Sequence, residues 1–171
     1  VRVGQYYIPH AMKELNKAAG FKYFIDLDLT NAFHQIRLCP KTSDILSVLT
    51  PWGLKRPKFL PEGVAPASGI LQRMVASVFA DFDEWTIVMF DNMLALCHSI
   101  PDGVEKLLKI VTRCVERNVV LKFTKSWFIV TEVKFFGYRV RPGQYELDED
   151  RKQAVEDAPM PTNQKQMQLF L

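Results

Sequence analysis

The sequence predicts an α+β fold in which an antiparallel sheet is backed by helices on one face. Strand-like runs come in neighbouring pairs, at 85–90 beside 93–97 and at 127–130 beside 134–140. Helical apolar spacing recurs between those pairs. The 171 residues, 48% hydrophobic and 24% charged, are enough for one core or a compact pair of subdomains. That ordinary balance excludes a disordered tail, a collagen-like repeat and a coiled-coil rod.

The elements follow in order. Pro9 opens a helix through Met12, Leu15 and Ala19, and Gly20 stands where a glycine stops one. Over 23–29 the residues alternate, sending Tyr23, Ile25, Leu27 and Leu29 one way and Phe24, Asp26 and Asp28 the other. Two carboxylates therefore share a strand face. Leu71, Met74, Val75, Val78, Phe79 and Phe82 form the broad apolar stripe of a second helix facing a core. The runs 85–90 and 93–97 are separated by Asp91-Asn92, a polar pair suited to a tight hairpin turn that puts an acid at its tip. A third helix, from about Pro101 to Arg117, turns Val104, Leu107, Leu108, Val111, Cys114 and Val115 inward and a basic side outward, with Ser99 and Asp102 spaced as a capping pair. Segments 127–130 and 134–140 make a second hairpin rich in aromatic and β-branched residues. Pro51-Trp52-Gly53, Pro101-Asp102-Gly103 and Pro142-Gly143 are the strongest turn signals.

Several function classes drop out. The longest apolar run, Met93-Leu94-Ala95-Leu96-Cys97, is far short of the roughly 20 residues that cross a bilayer, and the N-terminus lacks a signal-peptide pattern. A soluble chain without a membrane partner is expected. Cys39, Cys97 and Cys114 are odd in number with no C-x-x-C spacing, so they are expected as reduced, buried thiols. His10, His34 and His98 lack ligand spacing, and no zinc is assigned. Trp52, Trp85 and Trp127 are expected to pack rather than to stack on bases. A net charge of +3 alone names no partner, although Lys109, Arg113, Arg117, Lys122, Lys125 and Lys134 make one flank positive.

Phosphoryl transfer by two metals needs carboxylates from separate strands around Mg²⁺ ions about 4 Å apart. Asp28 on a strand and Asp91 at a hairpin tip are of the right kind. Their surroundings say more. Leu27-Asp28-Leu29-Thr30-Asn31-Ala32-Phe33-His34-Gln35-Ile36, then Leu60-Pro61-Glu62-Gly63-Val64 with Gln72, then Met89-Phe90-Asp91-Asn92, then Lys125 and Phe135-Phe136-Gly137-Tyr138, succeed one another along nearly the whole chain. In order and spacing they resemble the blocks of the reverse transcriptases of gypsy-type LTR retrotransposons and their retroviral relatives.

The resemblance implies an antiparallel polymerase palm sheet backed by helices, with partial fingers. The fingers side is expected at about 1–22 and 38–70, the palm at 23–37 and 71–157, and the start of a connection to an absent thumb at 158–171. It implies RNA-directed DNA polymerase activity, with deoxynucleotides added to a primer on an RNA or DNA template. Asp28 and Asp91 would hold Mg²⁺ or Mn²⁺, with Asn92 as a weakened third ligand. Leu29, Phe33, Glu62 and Gly63 would line the nucleotide site; the Leu29 carbonyl is an extra oxygen ligand, and the Phe33 ring fills the space of a ribose 2′-hydroxyl. Gln72 would touch the template, Lys125 the nucleic acid, and Phe136, Gly137 and Tyr138 would grip the primer end. Implied partners are the template with its primer, deoxynucleoside triphosphates, and the remaining fingers, thumb and ribonuclease H regions of a polyprotein. The implied location is a cytoplasmic particle or the nucleus.

The chain departs from that pattern where the family has a second aspartate and a preceding tyrosine, for Asn92 and Met89 stand there. An amide oxygen can approach a cation but lacks a full charge, a loss worth several kcal/mol near a divalent ion at an effective dielectric of about 20. Asp26, on the strand face of Asp28, and Glu62 are the acids that compensate on one reading. On the other, this is a catalytically inactive polymerase-like domain kept as a nucleic-acid-binding or scaffold subunit.

Overall fold

The computed structural model describes residues 10–157. Pro9 and the 158–171 segment lie outside them. The chain begins with helix α1 (Ala11–Leu15), which tightens into a 3₁₀ turn ending at Gly20, and enters strand β1 (Tyr23–Asp28). An excursion away from the sheet follows, with helix α2 (Pro40–Ile45) and the small hairpin β2 (Val48–Thr50) and β3 (Gly53–Lys55). Helix α3 (Ala67–Val78) returns the chain to the hairpin β4 (Thr86–Met89) and β5 (Asn92–Cys97). Helix α4 (Ile100–Arg117) leads to strand β6 (Trp127–Val130), the meander β7 (Val133–Phe135), β8 (Tyr138–Arg141) and β9 (Gln144–Leu147), and helix α5 (Glu149–Glu156).

The central sheet has the order β4-β5-β1-β6 and is antiparallel throughout. The alternation in β1 sorts its residues as expected, but both sheet faces are covered. Ile25, Leu27 and Leu29, with Met93, Ala95 and Cys97, pack against Leu71, Val75, Phe79, Ile110 and Cys114 from the two long helices. Phe24, Ile87, Met89, Leu94 and Leu96 pack the opposite way against Leu15, Ala18, Val133, Phe135 and Val140. The second face is closed by α1 and the three-stranded meander, which leave the Asp28 end of β1 half-buried.

Four expectations are corrected. The segment 127–130 does not form a hairpin with 134–140: β6 pairs with β1, while β7 pairs with β8 and β8 with β9 around Pro142-Gly143. The β6 strand fits by a bulge, since Phe24 pairs Val130 and Asp26 pairs Trp127, and Ile129 between them has φ of 51°. Second, the turn between β4 and β5 is Phe90-Asp91, because Asn92 already pairs with Met89.

Third, α4 is rotated from its apolar stripe: it buries Gly103, Lys106, Ile110 and Cys114, while Val104, Leu108 and Val115 are exposed. Gly103 and Lys106 explain the rotation. A Cβ on Gly103 would lie 3.2 Å from the Ile129 side chain, so a larger residue would have to push that side chain back, and glycine gives the closest crossing. Lys106 Nζ donates to the Leu96 carbonyl at 2.8 Å, pairs with Asp102 at 2.9 Å and lies over the Phe21 and Trp85 rings. The capping pair holds: the Asp102 N–H donates to the Ser99 hydroxyl at 3.3 Å. Fourth, Trp52, Trp127 and Cys39 are exposed rather than packed; Trp85 is half-buried. Burial pushes the Cys97 and Cys114 thiols up to about 11, which leaves them protonated and inert.

Candidate active site

Backbone pairing brings the two predicted acids together. Asp28, the last residue of β1, lies opposite Asn92, the first of β5, so their side chains leave the same sheet face. Asp91 precedes Asn92, and its carbonyl accepts from the Leu29 N–H at 2.8 Å. On the other flank the Asp28 carbonyl accepts from the Lys122 N–H at 2.7 Å, and Leu29 bridges to Leu121. The Asp28-Leu29 corner is thus held from both sides by main chain, which leaves side chains little freedom to drift.

The turn itself is clamped from below. Phe90 sits at φ of 55°, a left-handed conformation costly for a bulky residue. Gln72, 3% exposed in the middle of α3, compensates: its Oε1 accepts from the Phe90 N–H at 2.6 Å and its Nε2 donates to the Val88 carbonyl at 2.9 Å. Both ends of the amide therefore engage the hairpin main chain, which makes Gln72 a support of the Asp91 turn. A polar side chain set within a buried helix face was the only sequence signal for this role.

Asp26 lies on the face of Asp28, and burial, helped by the Asp28 charge, pushes its carboxyl up to about 6. Its Oδ1 is buried without a hydrogen-bond partner among the described residues. Phe33 is half-buried against the helix-side core, and Glu62 and Gly63 are exposed in the loop before α3, with Gly63 at φ of 80°. Lys125 is exposed in the turn Phe123–Lys125. Phe136 and Gly137 form the β7–β8 turn, both at positive φ, and Tyr138 opens β8. The Phe136 ring lies 6.1 Å from that of Phe90, so this turn packs on the acid-bearing hairpin.

Among the described residues no three acidic, histidine or cysteine side chains converge as a metal cage. The chain instead offers two carboxylates, an amide oxygen and main-chain carbonyls. An all-oxygen set of this kind suits a hard cation such as Mg²⁺ rather than zinc.

A reverse transcriptase (RNA-dependent DNA polymerase) family model matches residues 3–140. The chain belongs to the reverse transcriptase family. It is 29% identical to the retrovirus-related Pol polyprotein from transposon opus of Drosophila melanogaster, a match covering 97% of this chain and 17% of that polyprotein. It is 24% identical to the transposon Tf2-7 polyprotein of Schizosaccharomyces pombe, covering 100% of this chain and 13% of the relative. Reverse transcriptases of known structure share the fold. The foamy viral protease-reverse transcriptase dRH in complex with double-stranded DNA superimposes with a TM-score of 0.87 at 18% identity, over 99% of this chain and 30% of that one. The form bound to RNA/DNA hybrid gives 0.76 at 16% identity, over 99% and 22%. This reverse transcriptase segment thus spans less than a fifth of the two polyproteins. No helix among its described residues is long and apolar enough to cross a membrane.

Proposed function

We propose that this chain is the palm, with part of the fingers, of an RNA-directed DNA polymerase from a gypsy-type retroelement polyprotein. The reading assigns 23–37 and 71–157 to the palm and 1–22 and 38–70 to the fingers side. One observation carries it: the register that sets Asp28 opposite Asn92, with the Leu29 N–H bound to the Asp91 carbonyl, brings both aspartates to one corner of the sheet. Asp28 and Asp91 would hold Mg²⁺ or Mn²⁺, which when bound activates the primer 3′-oxygen and stabilises the leaving pyrophosphate.

The chain's own residues do the positioning. Gln72 keeps the Asp91 turn in its strained conformation, and main-chain bonds on both flanks hold the Asp28 and Leu29 backbone, whose carboxylate and carbonyl would reach the cation. Phe33 excludes a 2′-hydroxyl, and Glu62 and Gly63 border the incoming deoxynucleotide. The turn at Phe136 and Gly137, with Tyr138 and Lys125, orients the primer strand on an RNA or DNA template. The rest of the fingers, a thumb and a ribonuclease H region complete the enzyme within the polyprotein.

Asn92 favours a second reading, a polymerase-like domain that binds nucleic acid without chemistry. Primer extension with Mg²⁺ or Mn²⁺ separates the two. Product from the parent that is lost in Asp28→Ala supports the enzyme; product only after Asn92→Asp supports the silent domain.

A further inference from the structure

A guanidinium from another element is seated on the β7–β8 turn. Arg151, in the first turn of α5, donates from Nη1 to the Phe136 carbonyl at 3.1 Å. Its side chain roofs Gly137: a Cβ there would lie 2.6 Å from Arg151 Nη1 and 2.7 Å from its Cδ, so the turn accepts the arginine only because residue 137 is glycine. The Asp148 N–H donates to the Gly137 carbonyl at 3.0 Å, which ties the start of α5 to the same turn.

The surrounding cations are neutralised. Lys134 pairs with Asp148 and Asp150, Arg139 with Glu132 and Asp148, Arg141 with Glu132 and Glu146, and Lys152 with Glu146 and Glu149. Arg151 has no carboxylate partner among the described residues and is exposed. A guanidinium has five N–H donors in a planar fork, so one bond to a carbonyl leaves most of it to bind an anion bidentately. It is anchored, charged and open, beside a turn whose Phe136 ring touches the catalytic hairpin at 6.1 Å.

We propose that Arg151 binds a backbone phosphate of the primer strand near its 3′ end. Gly137 lets the strand and the arginine approach the same turn, and Arg151 supplies the charge that the main chain lacks. The inference rests on the proposed function, since it needs a primer at this turn.

Equilibrium binding of the whole 171-residue chain to a primer–template duplex across a salt series tests it. Removing one phosphate contact lowers the slope of log K against log salt by about 0.9. Arg151→Gln is expected to lose that slope with weaker binding, while Arg151→Lys keeps it. Gly137→Ala, whose methyl displaces the guanidinium, should lose it as well, so the test does not hang on one variant. Methylphosphonate placed singly along the primer should weaken parent binding at one position near the 3′ end and leave Arg151→Gln indifferent there. A parent slope retained in both Arg151→Gln and Gly137→Ala, or identical methylphosphonate profiles, overturns this proposal alone. A parent with no salt-dependent duplex binding overturns the proposed function along with it.

Discussion

The β2–β3 and β4–β5 hairpins are both antiparallel pairs closed by two-residue turns, Pro51-Trp52 in one and Phe90-Asp91 in the other. In β4–β5 every residue from Met93 to Cys97 is buried, a third strand pairs along the length of β5, and Gln72 ties the turn to α3. In β2–β3, Val48, Leu49, Trp52 and Leu54 are exposed, and the turn is held by its own Thr50 hydroxyl, which donates to the Gly53 carbonyl at 2.7 Å. The same local motif is therefore rigid where neighbours on both faces and along its edge over-determine it, and merely local where they do not. A strained turn such as Phe90 persists only under the first condition.

The sharpest way to break the difference is at Gln72. Gln72→Leu removes the partner of the half-buried Phe90 N–H and Val88 carbonyl, and a loss of about 2–3 kcal/mol is expected in urea unfolding. Primer extension should fall with it as the Asp91 turn loosens. A loss below what an exposed β2–β3 substitution produces would mean that Gln72 is not what holds the turn.

The next effect concerns pH. Asp26 in the unfolded chain ionises near its ordinary 3.8, whereas in the fold it keeps its proton to about 6. Between those values the folded state binds more protons, so this group makes stability fall as pH rises through the window and stay lowered above it. In chelator-treated protein, Asp26→Asn is expected to flatten that fall and to be more stable at pH 8 by on the order of 2 kcal/mol, allowing for partial exposure. Parallel stability-versus-pH curves for parent and variant would refute it.

Asn92→Asp places a second carboxylate directly opposite Asp28, a like-charge pair on one sheet face, and should lower stability by about 1 kcal/mol without metal. Mg²⁺ should then raise the melting temperature of the variant more than that of the parent, because the variant has one further like-charge pair to relieve. Equal Mg²⁺ shifts would sink this. The smallest effect belongs to the exposed hairpin: Leu49→Ser should change stability by less than about 0.5 kcal/mol.

Much of this was legible along the chain. The alternation of β1, the stripe of α3, the Ser99 cap and the aspartates of the first and third blocks all lie where local patterns put them, because each depends on residues a few positions apart. Other features failed for a common reason. The pairing of β6 with β1 joins segments about a hundred residues apart, and hydrophobic pattern names a strand but not its neighbour. The rotation of α4 follows from Gly103 meeting Ile129 and Lys106 reaching the Leu96 carbonyl, so a tertiary fit overrode the apolar stripe. The hairpin turn moved by one residue because Asn92 is claimed by Met89 and Asp28 on either side. The resemblance implies a template contact for Gln72, and its hold on the hairpin appears only in its burial and hydrogen bonds.

By itself the sequence determined the longer periodic elements, which family the motif order resembles and which carboxylates are candidates, since these are carried by periodicity and residue type; the short α2, β2, β3, β9 and α5 carried too little pattern to be read. Only the tertiary structure decided that Asp28, Asp91 and Asn92 share a corner, that Gln72 serves the hairpin and that Arg151 lies on Gly137. Such relations join residues distant in the chain, and they exist only once strand register and helix rotation have been selected by packing.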